Sequence, residues 1–132
     1  MSVPTHTVSS APVISGVLQA EPLDADRLRT VIGWADELLH LEPTSVVADL
    51  VAAEPPSCGD RRWDAMVAGL VEHLAFVRGF PAPAWVRDPA RFLESFWFPV
   101  DLPSVRAMAF RDAPASLARR GVFLDRRDLS RV

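Results

Sequence analysis

The apolar positions of this chain recur with a helical period in two long stretches. In "LDADRLRTVIGWADELLHL", Leu28, Val31, Ile32, Ala35, Leu38 and Leu39 stand at offsets of 0, 3, 4, 7, 10 and 11, which a 3.6-residue period gathers on one face. The stretch predicts an amphipathic helix with Asp24 as N-cap, Leu23 and Leu28 as a hydrophobic staple, and Pro43 beyond its end. "DRRWDAMVAGLVEHLAFVRG" predicts a second, with Trp63, Met66, Val67, Leu70, Leu74 and Val77 on one stripe. Ala65, Ala68 and Gly69 beside that stripe let another helix approach, and Gly79 follows Arg78 as a left-handed terminator. This helix is expected at the centre of the core. Between the two, a shorter helix from about Thr44 buries Val46, Val47, Leu50 and Val51 and stops at the prolines of "EPPSCGD".

The flanks carry weaker patterns. Residues 1–20 hold one titratable side chain, His6, among Ser, Thr, Pro and Val; they predict an extended or flexible arm, with "VISGVLQA" as a candidate edge strand. Beyond Gly79, "FPAPAWV" reads as a polyproline-like connection pinned to the core by Trp85. "DPARFLESFW" reads as a helix capped by Asp88, with Pro89 at its first position and Phe92, Leu93, Phe96 and Trp97 on its buried face. "VDLPSVRAMAF" gives a further short helix or turn. In "DAPASLARRGVFLDRRDLSRV", Asp112 caps a short helix that Arg119, Arg120 and Gly121 close, and Asp125 starts a last turn. The whole predicts a mainly α protein: an arm over residues 1–20, then one helical domain over 21–132, a small orthogonal bundle of short, proline-punctuated helices with little or no β-strand.

Length and composition agree with one folded domain: 132 residues, 49% of them hydrophobic, suffice for one core and not for two. A formal net charge of −3 excludes a global basic field for nucleic acid or anionic lipid. The charge is uneven, since residues 1–60 carry a balance of −7 and residues 61–132 one of +4, which suits an acidic face and a basic face. Five arginines crowd residues 112–132, offset by Asp112, Asp125 and Asp128. The single cysteine, Cys58, excludes an intrachain disulfide and predicts a reducing, cytoplasmic setting. No apolar run reaches the ~18 residues that span a bilayer, and the N-terminus lacks the basic region of a secretory signal, so neither membrane insertion nor export is expected.

Specific chemistry is sparse. The six glycines stand singly and build neither a dinucleotide fingerprint nor a phosphate loop. His6, His40 and His73 have no paired metal-ligand spacing, and no serine sits in a nucleophile elbow. The sequence therefore assigns no catalytic residue, cofactor or metal ligand; a small enzyme would require Cys58, His73 and an acid to converge around a pocket. Trp63, Trp85, Phe96, Trp97 and Phe98 are expected in the core, and the "SFWF" run becomes an interface anchor if part of it is exposed.

Three motifs in fixed order, "GDRRWDAMVAGLVEHLA", then "PAPAW" with "RFLESFWF", then "APASLARRGVFLDRRDL", resemble a C-terminal module found behind helix-turn-helix domains in regulators and antitoxin-like proteins of high-GC bacteria. The resemblance covers about residues 59–129. It implies a non-enzymatic module that binds and masks a protein partner, of a nucleotidyltransferase-like kind. Ahead of residue 59 there is no recognisable DNA-binding helix-turn-helix. The residues expected to make the partner contact are Trp97, Phe98, Arg119, Arg120, Arg126 and Arg127. The alternative is a nucleic-acid-binding regulator that uses the C-terminal arginines.

Overall fold

The computed structural model describes residues 7–129. Among them stand six helices: α1 (Ala11–Ala20), α2 (Asp24–His40), α3 (Thr44–Ala52), α4 (Arg61–Arg78), α5 (Pro103–Asp112) and α6 (Ala115–Ala118). Short 3-10 turns occur at Ala84–Arg87, Pro89–Arg91 and Arg126–Leu129. The described residues contain no strand, and none of their helices is long and apolar enough to cross a membrane.

α4 is the axis of the fold. Every residue from Trp63 to Val71 is buried, so this part of the helix is covered on all sides. α1, α2, α3 and α6 all pack on it, as do the turns at Ala84–Arg87 and Pro89–Arg91. Asp60 caps its start by accepting from the Arg62 amide at 3.0 Å. Gly79, at φ 78°, ends it, its amide donating to the Ala75 carbonyl. The small-residue strip performs the expected service at Gly69, where a Cβ would come within 2.5 Å of Leu117 Cδ2 on α6.

The N-terminal arm is the first correction. Ala11–Ala20 is a helix, neither extended nor a strand, and it buries Ala11, Ile14, Ser15 and Leu18 at helical spacing. Ser10 caps it and Pro12 occupies its first turn, where a missing amide costs nothing. It is fixed by tertiary hydrogen bonds: Ser15 Oγ donates to the Pro56 carbonyl, and Trp34 Nε1 donates to the Ser9 carbonyl at 2.8 Å. The part of the expected arm at residues 1–6, with His6, lies outside the described residues.

α2 and α3 follow the predicted stripes, except that Val46 is 40% exposed and Val77 of α4 49%. Asp24 opens α2 but makes no cap; its carboxylate instead accepts from Trp63 Nε1 at 3.0 Å, Arg62 at 3.0 Å and Arg27 at 3.0 Å. These bonds lock the start of α2 to the start of α4. Against the raising effect of burial, they hold the Asp24 carboxyl below its ordinary value.

The expected helix over "DPARFLESFW" is the second correction. Asp88 caps as predicted, accepting from the Ala90 amide, but the turn it starts ends at Arg91. From there the backbone pairs with the C-terminal segment: the Leu93 amide donates to the Arg120 carbonyl at 2.9 Å, Trp97 to Gly121 at 2.8 Å, and Phe123 to Trp97 at 2.9 Å. An isolated parallel bridge joins Trp97 and Val122. Gly121, at φ 82°, leaves room for this approach, since a Cβ there would sit 3.2 Å from the Ser95 carbonyl. Tertiary backbone bonds thus take the amides that a helix would have used, and Phe96 ends 66% exposed.

Candidate functional site

The described surface has two regions with distinctive chemistry. The first is aromatic. Phe123, only 6% exposed, forms a floor. On it rest Phe96 and Phe110, each with its ring centroid 4.9 Å away, and Phe98, stacked at 5.3 Å. Phe96 and Phe110 stay 66% and 55% exposed; Leu102, just ahead of α5, and Met108 on it are exposed as well. α5 itself buries only Ala109. Proline places this helix: Pro103 at its first turn starts it, and Pro114 stops it within two residues of Asp112.

Cations stack on the edge of this face. The Arg106 guanidinium lies 4.6 Å from the Phe98 ring and is paired with Asp101 at 2.6 Å. Arg62 lies 5.1 Å from the Trp97 ring, and Trp97 meets Trp63 edge-on at 4.9 Å, tying the face to α4. Trp97 and Phe98 are each partly covered; the exposed anchors are their neighbours Phe96 and Phe110.

The C-terminal arginines do not share one patch. Arg120 is fully buried, which removes it from any surface contact: it donates to Glu72 at 2.7 Å, to the Ser116 carbonyl at 2.7 Å and to the Val86 carbonyl, with the Phe92 ring 4.5 Å away. Burial lowers its basicity from the ordinary value, against the raising pull of Glu72. Arg119 pairs with the same Glu72 at 2.9 Å. Arg127 is held by Asp125 at 2.6 Å and Asp112 at 3.4 Å, at the C-terminal end of α5. Its hydrogen bond is the main reason the Asp125 carboxyl lies below its ordinary value. Arg126 is exposed, and its side chain makes no hydrogen bond or ion pair with another described residue.

The second region is a groove of about 670 Å³ between the C-terminal half of α4, the Phe80–Ala82 connection and the start of α6. His73, Arg119 and Arg126 line it together with Phe76 and Phe80. Burial, and secondarily the Arg126 charge, push the His73 imidazole below its ordinary pKa. Cys58 lies at the other end of α4, roughly 20 Å away along the helix axis at ~1.5 Å per residue. Its thiol is buried and pushed up to about 11, chiefly by burial, against the lowering effect of its hydrogen bond to the Asp60 carbonyl and with Asp64 adding to the rise. Cys58 and His73 therefore do not form a nucleophile–base pair, and no group of three or more potential metal ligands occurs among the described residues.

The chain matches no family model, no curated protein and no solved structure. The exposed aromatic face was legible only in part. "SFWF" marked it, but Phe110 and Phe123 meet it through the non-helical course of residues 92–98, where tertiary backbone bonds override the helical spacing of Phe92, Leu93, Phe96 and Trp97.

Proposed function

We propose that the chain is a non-enzymatic protein-interaction module that binds a partner protein through the face built by Phe96, Phe98, Phe110 and Phe123. Following the resemblance of residues 59–129, we read it as an antitoxin-like cytoplasmic regulator that masks a nucleotidyltransferase-like partner. The observation that carries the reading is that Phe96 and Phe110, 66% and 55% exposed, stand together on the Phe123 ring. Contiguous exposed aromatic surface is costly in water and marks contact sites, and aromatic side chains dominate such interfaces energetically. Arg106, stacked on Phe98, and Arg127, at the end of α5, supply rim charge. Pairing of Arg119, Arg120 and Arg127 with carboxylates argues against a phosphate-binding strip.

The test is co-expression with the product of the adjacent gene. The two products co-purify, and the double change Phe96→Asp with Phe110→Asp abolishes co-purification while circular dichroism and thermal midpoint stay unchanged. Recovery of the partner by the double variant at the wild-type level removes the aromatic face from the interface. Steep, salt-sensitive affinity for duplex DNA would instead favour a nucleic-acid-binding regulator.

A further inference from the structure

The groove beside His73 has a polar head and an apolar body, and the two differ in what they lack. At the head, Glu72 is the one carboxylate in the lining, and it is already paired with Arg119 and Arg120 at 2.9 and 2.7 Å. Arg126 is left as a guanidinium with no described partner, and the His73 ring makes no hydrogen bond with a described residue. Among the described lining residues the balance of charge is positive, with Arg119 and Arg126 against Glu72. The body is hydrocarbon: Leu39, Phe76, Val77, Phe80 and Ala82 from one side, Pro114 from the other. Phe76 stands 83% exposed at the rim. A small cavity of about 30 Å³ continues inward below the groove, and His73 and Arg126 line both spaces.

We propose that this groove is a binding site for a small amphipathic carboxylate, an acid whose hydrocarbon tail lies along Phe76, Phe80 and Pro114 and whose carboxylate pairs with Arg126 beside His73. Charge complementarity selects the anion, because a guanidinium that pairs with no described residue, at the end of an apolar groove, gains a charge-assisted hydrogen bond on binding it. The volume falls within the ~300 to 1,000 Å³ typical of small-ligand sites, in which a few polar groups fix one end of a largely apolar guest. The site stands apart from the partner-binding reading, since none of its lining residues belongs to the aromatic face.

The probe is sodium dodecanoate, titrated into the full chain below its micelle threshold and followed by calorimetry and by the His73 ring resonances. Saturable one-to-one binding that shifts those resonances is expected. Dodecyltrimethylammonium, with the same tail and the opposite charge, binds at least tenfold more weakly. Arg126→Gln and Phe76→Ser change exposed side chains and leave the fold intact. Arg126→Gln weakens dodecanoate by about tenfold or more, the loss of one charge-assisted hydrogen bond. Phe76→Ser weakens it to a lesser degree, and Phe110→Asp on the aromatic face leaves it unchanged. The proposal is overturned by the absence of saturable binding, by equal affinity for the cationic probe, or by undiminished binding in Arg126→Gln.

Discussion

Removing the Arg120 guanidinium tests how the C-terminal segment is anchored. The side chain is fully buried and donates to Glu72, to the Ser116 carbonyl and to the Val86 carbonyl. In Arg120→Ala both carbonyls lose a buried donor, at about 1 to 3 kcal/mol each. Glu72 keeps Arg119 and is partly solvated, so it adds little. The cavity and the lost stacking on Phe92 add to these, so the loss is at least about 3 kcal/mol, the lower end of what breaking a buried ion pair costs. Urea unfolding monitored by tryptophan fluorescence measures it, with the m-value checked for a two-state transition. Arg29→Ala is the control: its pair with Asp26 at 2.7 Å is exposed at both ends, 73% and 36%, and such pairs contribute at most about 1 kcal/mol. A loss below about 1 kcal/mol in Arg120→Ala, or equal losses in the two variants, would refute the assignment of Arg120 as an internal clamp.

Two further predictions follow from local geometry. Gly69→Ala forces a Cβ to 2.5 Å from Leu117 Cδ2 and 3.3 Å from the Ser116 carbonyl, so it destabilises by about 1 to 3 kcal/mol as overpacking does. Gly33→Ala on α2 meets nothing within 4 Å and stabilises by about 0.5 to 1 kcal/mol through helix propensity; thermal midpoints moving the same way in both variants would contradict the packing. The Cys58 thiol, raised from 9.0 to about 11 in the folded state, retains its proton where the unfolded chain has lost it. Stability is therefore fully present below about pH 9 and falls as pH rises toward 11. Denaturant midpoints at pH 8 and pH 10.5 should separate more in wild type than in Cys58→Ala, and equal separation would show the thiol to be unperturbed.

What the sequence revealed depended on how local the deciding interaction is. α2, α3 and α4 are written in 3.6-residue stripes, and the ends of α4 are marked by Asp60 and Gly79, each of which acts within a few residues of its own position. α1 carries the same kind of stripe in Ala11, Ile14, Ser15 and Leu18, obscured by a serine in the buried set and by a neighbourhood rich in Ser, Thr and Pro. Residues 92–98 were misread for a different reason. Their amides bond to residues 120 and 121, far along the chain, and a distant backbone partner leaves no periodic trace. The arginines show the same limit: "LARRG" has two adjacent guanidiniums of identical local context, yet one is fully buried and the other is exposed on Glu72. Both reach Glu72, and the Val86 carbonyl opposite Arg120 distinguishes them.

In the proposed function this domain works by contact through its aromatic face. Hydrogen–deuterium exchange of the chain, free and bound to its co-purified partner, tests that claim most directly. The predicted result is new protection confined to residues 94–112, the stretch from Glu94 to the end of α5. Protection that appears on α1 and α3 and leaves residues 94–112 exchanging at the free rate would contradict it.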